Sequence, residues 1–325
     1  MKRKALAIGI ILLFVGTGII PSTTSLQTHG RNIITVDDEP GDADYTSIKE
    51  ALNHSSPGDT IEVFSGTYYE HGINIMEDGI SLIGMPYELG NGSDTGKPFI
   101  NGQGLGDIVN IKARNVTITG FRIENRGEGY YCIILVGWGS DGCVISNNIL
   151  RYTGNSIILC AANFSKITNN TVRDAGGLYG IMISYHHNTV SDNIIDNCPR
   201  GISFWGGSFN TIPRNRISNC SEFGIVVGNN WNVFEYNTIE NNAYGLLIYL
   251  ASWSRIQHNN FINNTIQAGF DQGMGFTGVN RFIQNYWNRP RLLPYPVVGR
   301  VFVIVPWVLF DWRPAKEPYD IPGMR

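Results

Sequence analysis

Apolar and polar positions along the chain recur as a short motif, apolar-x-x-Asn-x-apolar. Six successive copies are separated by Asn-to-Asn steps of 22, 23, 22, 22 and 22 residues. A fixed period of this length is typical of solenoids, in which each repeat is one structural unit. The repeated asparagines are Asn148, Asn170, Asn193, Asn215, Asn237 and Asn259.

Each repeat also contains a second short apolar segment that begins at a glycine. Such short segments cannot form a helix pair, and they bury a core only by stacking, each strand pairing with its copy one coil away at about 4.8 Å. The pattern therefore predicts an all-β fold, a single-stranded right-handed parallel β-helix over residues 33–290. The glycines are expected to supply positive φ angles or close backbone approach. They are Gly180, Gly201, Gly224 and Gly245.

The repeated asparagines are expected to form a structural ladder. An Asn that points into a bend can donate its amide to the next Asn and satisfy backbone groups there. A second polar row marks another bend and consists of Ser165, Asn188, Asn210, Asn232 and Ser254. An aromatic row precedes it and consists of Phe164, His187, Phe209, Trp231, Trp253 and Phe276. These rings are expected to stack along the solenoid axis, and a ligand platform is the alternative.

The N-terminus has the layout of an export signal. Residues 1–25 contain Met1-Lys2-Arg3-Lys4, an apolar run and a Ser/Thr-rich stretch. This layout predicts an extracytoplasmic protein that is secreted, periplasmic or on the cell surface. An uncleaved N-terminal anchor is the alternative, and it would be the chain's contact with a membrane.

Both ends of the predicted solenoid require caps, because a terminal coil exposes apolar faces and unpaired edges. Residues 45–55 are predicted to form a short amphipathic capping helix that begins at Asp44 or Thr46. Residues 291–325 lose the repeat and are rich in proline and aromatic residues. We expect them to form an irregular C-terminal cap or tail.

Composition narrows the classes of function. With 42% hydrophobic and 16% charged residues, the chain can build a large core. The net charge is −3 and no Lys/Arg stripe is present, which argues against nucleic acid as a partner. Cys198 and Cys220 occupy equivalent places in successive coils, close enough for a disulfide. An unbonded thiol stack is the alternative.

Several segments resemble those of a known family. They are Val36-Asp37-Asp38, residues 43–52, Pro57-Gly58-Asp59-Thr60-Ile61-Glu62-Val63, residues 66–70, residues 80–84 and Asn285-Tyr286-Trp287. The sequence resembles NosD-like right-handed β-helix proteins of the pectin-lyase-like superfamily over about residues 33–290. That resemblance implies a secreted or surface protein with carbohydrate-binding or sugar-hydrolysis-type repeats, or an accessory protein of copper-site maturation. The tail around residues 306–320 resembles those of archaeal members.

Two sets of outward side chains are candidates for carbohydrate chemistry. Trp205 and Tyr249, with Tyr185 close by, can stack on sugar rings, and isolated exposed aromatics are the alternative. The strand after the Asn row presents a second set, Arg151, Arg173 and Asp196. The two arginines can hold an acidic sugar with the aspartate as base, whereas ordinary surface pairing contributes little. If these charged side chains cluster in a groove, an enzyme is favoured. If they are dispersed over the surface, that counts against an enzyme.

Metal sites are the third possibility, although the sequence requires no cofactor. His186 and His187, with Met182 nearby, offer ligands of the kind copper prefers, and surface histidines are the alternative. The four aspartates of residues 37–44 can bind Ca²⁺. Because they lack a defined loop pattern and a helix N-terminus attracts aspartate, we interpret them as capping.

The leading hypothesis is a non-catalytic extracytoplasmic scaffold that binds a polysaccharide or cell-envelope glycan. The first alternative is a polysaccharide lyase, hydrolase or epimerase. The second is a NosD-like periplasmic accessory protein of copper-site maturation.

Overall fold

The computed structural model describes residues 32–90, 92–127, 129, 131–273, 279–302 and 304–322. The predicted export segment and Phe276 of the aromatic row lie outside the described residues. The described chain is an all-β parallel solenoid of about 11 turns, which confirms the predicted fold class. No helix in this part of the chain is long and apolar enough to cross a membrane.

The strands of each coil lie on three faces, and each strand pairs in parallel with its copy in the next coil. Face 1 consists of β4 Ile73–Ile75, β7 Val109–Ile111, β10 Ile134–Val136, β13 Ile158–Cys160, β16 Tyr179–Ile183, β19 Arg200–Phe204, β22 Phe223–Val227, β25 Tyr244–Tyr249, β28 Ile266–Asp271 and β31 Tyr295–Val301.

Face 2 consists of β1 Ile33–Val36, β2 Thr60–Val63, β5 Ser81–Gly84, β8 Thr117–Thr119, β11 Val144–Ser146, β14 Lys166–Thr168, β17 Thr189–Ser191, β20 Thr211–Pro213, β23 Val233–Glu235, β26 Arg255–Gln257, β29 Arg281–Ile283 and β32 Val305–Asp311. Face 3 consists of β3 Thr67–Tyr68, β6 Phe99–Asn101, β9 Arg122–Glu124, β12 Ile149–Thr153, β15 Thr171–Ala175, β18 Ile194–Asp196, β21 Arg216–Ser218, β24 Thr238–Glu240, β27 Asn260–Ile262 and β30 Tyr286–Trp287.

The core is a column of β-branched and leucine side chains inside the three faces. Ile181, Ile202, Ile225 and Leu246 are in register on successive strands of face 1 and are fully buried. Each such burial contributes about 1.5–3 kcal/mol relative to exposure, and it requires the neighbouring coil to be in place.

Buried asparagines join the coils at the corner between faces 2 and 3. The Oδ1 of Asn215 accepts from the backbone N–H of Asn193 at 3.1 Å and from its side-chain amide at 3.0 Å. The Asn215 amide in turn donates to the carbonyl of Val190 at 2.8 Å. The same pattern runs through the repeated asparagines from Asn148 to Asn259.

A carboxylate ends this ladder. Asn259 donates to Asn285, and Asn285 donates to Asp311 Oδ2 from its backbone N–H at 2.7 Å and from its amide at 3.1 Å. Asp311 is fully buried and also accepts from the indole N–H of Trp287. An ionised carboxylate only accepts hydrogen bonds, which is what the last position of a donating ladder requires.

The other two corners follow related patterns. Asn188, Asn210 and Asn232 form a second ladder between faces 1 and 2. The repeated glycines lie near the third corner, where they allow close backbone approach and do not adopt positive φ. A Cβ at Gly201 would lie 2.6 Å from the carbonyl oxygen of Gly224, so only glycine fits.

The cysteines are buried free thiols, and the disulfide expected as one alternative for Cys198 and Cys220 is absent from the structure. Each thiol turns to the carbonyl two residues earlier, at 3.5 Å from Asp196 and 3.6 Å from Ser218. Cys198 and Cys220 therefore correspond to the alternative of two unbonded thiols in successive coils.

Two expectations about the ends are corrected. The helix α1 spans Ile48–Asn53, and its N-cap is Ser47, because Asp44 is hydrogen-bonded to Thr35 instead. The tail is not irregular throughout: β31 and β32 form an antiparallel hairpin that pairs with β28 and β29. Val297 and Val301 of β31 are buried, so this hairpin packs its first strand against the core of the last coil.

Replacing one ladder residue tests the contribution of the Asn corner. We expect Asn215→Ala to lower the free energy of unfolding by about 2–4 kcal/mol, because each buried polar group left unpaired costs about 1–3 kcal/mol. Asn74→Ala, at an exposed position of β4, should change it by about 0.5 kcal/mol or less. Denaturant unfolding measures both, and equal effects would contradict the ladder's role.

Thiol counting tests the cysteine assignment. Burial raises the pKa of Cys198 to about 12 and that of Cys132 to about 11. We therefore expect no thiol to react in the native protein near neutral pH, since the thiolate is the reactive form. All five thiols should react after denaturation without reductant. Three reactive thiols would instead show that a disulfide forms.

Candidate functional site

The aromatic row forms a stack of exposed rings on the corner between faces 1 and 2. The centroid distances along it are 5.1 Å for Phe164 and His187, 5.3 Å for His187 and Phe209, 6.3 Å for Phe209 and Trp231, and 5.3 Å for Trp231 and Trp253. The planes of adjacent rings differ by at most 12°. The expected stacking along the axis is confirmed, as far as Trp253.

The backbone directs these rings outward. Each of the five residues has a φ between 56° and 62°, in the left-handed region. Bulky residues rarely adopt this region, and the conformation costs about 1–2 kcal/mol per residue. It is maintained here because the following residue is fixed in the second polar ladder.

A groove of about 500 Å³ runs beside the C-terminal part of the stack. One wall is formed by Phe209, Trp231 and Trp253. The side chains of Arg255 and Arg281, on β26 and β29 of face 2, line it as well. The groove therefore crosses several coils and is lined by both aromatic and basic side chains.

The polar groups of the groove are mainly hydrogen-bond donors. Arg255 and Arg281 are direct neighbours in the strand register, are exposed, and make no ion pair within the described part of the chain. Like charges directly opposite each other on adjacent strands are destabilising, so this pair does not serve the fold. The indole N–H groups of Trp231 and Trp253 also lack partners among the described residues.

Stacking decides which part of each ring a ligand can reach. The faces of Trp231 are covered by Phe209 and Trp253, so the exposed part of this residue is mainly the edge of its ring. The edge of an aromatic ring is electropositive. With the two arginine side chains lining the same groove, the groove is complementary to an elongated ligand rich in negatively charged oxygen atoms.

The expected aromatic track on face 1 is a compact pair. The rings of Trp205 and Tyr249 lie 6.3 Å apart at 57°, two coils from each other, with Gly228 between them. A larger residue at Gly228 would contact the Trp205 ring, since a Cβ there lies 3.5 Å from it. Tyr185 is half-buried and does not stack on either ring among the described contacts.

The charged candidates on face 3 are in register, and two of them, Arg151 and Asp196, are engaged locally, whereas Arg173 is exposed without an ion pair among the described residues. Arg151, Arg173 and Asp196 are neighbours on β12, β15 and β18. Arg151 pairs with Asp174 at 3.2 Å, and Asp196 accepts from the Ser218 hydroxyl at 2.8 Å. The groove beside the aromatic stack contains none of these three residues.

The histidines are placed on the aromatic corner. His187 is stacked between Phe164 and Phe209, and its ring centroid lies 6.5 Å from that of His186. The Nδ1 of His186 accepts from the backbone N–H of Ser208 at 3.0 Å. Met182 points outward from face 1 between Leu159 and Ser203.

Among the described residues, no group of three or more closely spaced His, Cys, Asp or Glu ligand atoms includes a histidine or a cysteine. Both groups of three or more His, Cys, Asp or Glu with closely spaced ligand atoms consist of carboxylates alone. Copper prefers imidazole, thiolate and thioether ligands. The cysteines are buried, and burial raises the pKa of Cys160 to about 11, so its thiol remains protonated.

Sequence reasoning found the aromatic row but missed the two arginines beside it. Arg255 and Arg281 are 26 residues apart because the last coils contain an insertion, which hides them from a search at the 22-residue period. Only the strand pairing shows that they are adjacent. Their signal in the sequence is a basic residue two positions after Trp253 and one position after Asn280.

Comparison with known families gives one match. A family model described as periplasmic copper-binding protein (NosD) matches residues 52–303, which is 252 of the 325 residues. This match confirms the resemblance that the sequence segments carry. No protein of curated function matches the sequence.

Several solved structures share the architecture. XylC in complex with xylose superposes with a TM-score of 0.60 and 13% identity, covering 86% of this chain and 73% of that one. The enzymatically active domain of bacteriophage CBA120 tailspike protein 2 superposes with a TM-score of 0.56 and 11% identity. The match covers 72% of this chain and 40% of that one. The GH136 lacto-N-biosidase from Eubacterium ramulus superposes with a TM-score of 0.52 and 12% identity. The match covers 78% of this chain and 60% of that one. At these identities the likeness shows the fold alone.

Proposed function

The chain belongs to the family of the periplasmic copper-binding protein NosD, and we propose that it is an extracytoplasmic, non-catalytic scaffold that binds an acidic polysaccharide or cell-envelope glycan. The proposed ligand lies in the groove beside the aromatic stack. The observation that carries this proposal is that Arg255 and Arg281, which are neighbours without an ion pair among the described residues, line the same groove as Trp231 and Trp253.

The shape of the groove favours a polymer. The coils repeat at about 4.8 Å along the axis, so an extended chain parallel to the axis meets an equivalent position in every coil. Guanidinium groups bind carboxylate and sulfate oxygens through charge-assisted hydrogen bonds, which are about twice as strong as neutral ones. An acidic glycan is therefore preferred over a neutral one of the same length.

The non-catalytic form of the proposal is supported by the groove lining. Hydrolysis of a glycosidic bond generally uses two carboxyl groups that flank the bond. The described residues that line the groove include no aspartate or glutamate. An enzyme built instead on Arg151, Arg173 and Asp196 would need a separate binding surface on face 3.

The proposed binding of a glycan does not require a copper ion. The family description names copper, but the His and Cys side chains described above are engaged in stacking, backbone hydrogen bonds or burial. Binding of glycan in the groove involves only the side chains that line it.

A glycan array with product analysis tests binding and turnover together. We expect the protein to bind acidic polysaccharides without forming products, with an affinity that falls as salt rises. The double variant Arg255→Gln/Arg281→Gln should lose at least about tenfold in affinity, which corresponds to about 1.4 kcal/mol. Trp253→Phe, which keeps the ring but removes the N–H, should lose less.

The matched control is Arg173→Gln, which removes an exposed arginine of face 3. It should bind like the unmodified protein. Equal binding by the double variant would contradict the groove, and a larger loss in Arg173→Gln would favour face 3. Cleaved or epimerised products would contradict the non-catalytic assignment.

A further inference from the structure

Five carboxylates meet near the N-terminal end of the solenoid, far along the chain from the aromatic groove. Asp37, Asp38 and Glu39 follow β1, and Glu88 and Asp94 lie in the loop after β5. Ligand oxygens of the first three lie within 4.8 Å of one another, and so do those of Glu39, Glu88 and Asp94. Glu39 belongs to both groups, so the five form one continuous cluster.

Three of the five carboxylates are held in place by the backbone through one oxygen each. Oδ1 of Asp37 accepts from the N–H of Asp38 at 3.1 Å, and Oδ2 of Asp38 accepts from the N–H of Thr67 at 3.0 Å. Oε2 of Glu88 accepts from the N–H of Asp94 at 3.2 Å. In each of these three residues the second oxygen is buried without a hydrogen-bond partner, as is Oε2 of Glu39.

Asp37 is the strongest indication of a ligand. Its side chain is 0% exposed, and its Oδ2 has no partner among the described residues. Burial of an ionised carboxylate without a countercharge is very unfavourable. No lysine or arginine forms an ion pair with the cluster in the described part of the chain.

Gly66 lies directly beside the carboxylate of Asp38. A Cβ at Gly66 would collide with the carboxylate of Asp38, although the φ of Gly66 lies outside the left-handed region. A side chain at this position would therefore force the Asp38 carboxylate to move.

The electrostatics agree with the geometry. Burial, followed by the contact with Glu88 and the charges of the neighbouring carboxylates, raises the pKa of Asp37 to about 7. The contact with Asp38 is the main cause that raises the pKa of Glu39. Negative charge is thus unfavourable in the cluster as it stands.

We propose that Asp37, Asp38, Glu39, Glu88 and Asp94 bind one divalent cation, with Ca²⁺ as the preferred ion. Ca²⁺ takes six to eight oxygen ligands in flexible geometry, whereas Mg²⁺ requires near-octahedral geometry and retains several waters. An all-oxygen set of carboxylates does not suit copper. The cation connects the loop after β1 to the loop after β5, and it stabilises the first coils of the solenoid.

Calcium titration of the full chain by calorimetry, with thermal unfolding in Ca²⁺, Mg²⁺ or EDTA, tests this site. We expect one Ca²⁺ per chain, weaker binding of Mg²⁺ and a higher melting temperature in Ca²⁺ than in EDTA. Hydrogen exchange should slow in the loop around Glu88 when Ca²⁺ is added.

The informative variant is Asp37→Asn, which keeps the shape but removes the buried charge. It should weaken Ca²⁺ binding at least about tenfold. In EDTA it should melt at or above the temperature of the unmodified protein, because the repulsion is relieved, and in Ca²⁺ below it. Glu88→Gln serves as a second variant if Asp37→Asn fails to fold. Glu62→Gln, on β2 outside the cluster, is the matched control and should bind Ca²⁺ normally.

Absence of Ca²⁺ and Mg²⁺ binding at millimolar concentration would overturn the proposal. So would unchanged Ca²⁺ affinity in both Asp37→Asn and Glu88→Gln. Because the readouts are metal binding and unfolding, they do not depend on whether the protein binds a glycan.

Discussion

The hydrogen bond from one buried asparagine to the next is the interaction on which the rest of this structure depends. A coil of about 22 residues contains three short strands and three bends, and it cannot bury its own core. At each bend the backbone loses strand partners, and the side chains of residues such as Asn193 and Asn215 replace them. Since every Asn both donates and accepts, the coils are held at one register until Asp311 ends the series.

Fixed register has a consequence for the surface. Side chains at equivalent positions of successive coils are brought side by side whatever their role, which is how five aromatic residues form one stack and two arginines become neighbours. The same register brings the loop after β1 near the loop after β5, where carboxylates accumulate. The groove therefore arises from rows of side chains on successive coils, and the carboxylate cluster arises from two loops that lie close together. Neither site requires a cleft between domains.

The sequence predicted those features that repeat at the coil period. The Asn row, the core strands and the ring stacking all follow from spacing alone. What breaks the period was missed: Arg281 after an insertion, Asp311 as the end of the ladder, and the hairpin at β31 and β32. The orientation of the Asp37 carboxylate was also beyond the sequence, because it depends on which backbone N–H groups anchor its neighbours.

A crystal structure with an acidic oligosaccharide would show directly whether the aromatic corner is a binding surface for acidic glycans. Sugar density is expected along the edges of Trp231 and Trp253, with acidic groups contacting Arg255 and Arg281. Density on Trp205 and Tyr249, or over Arg151 and Arg173, with an empty groove would contradict it.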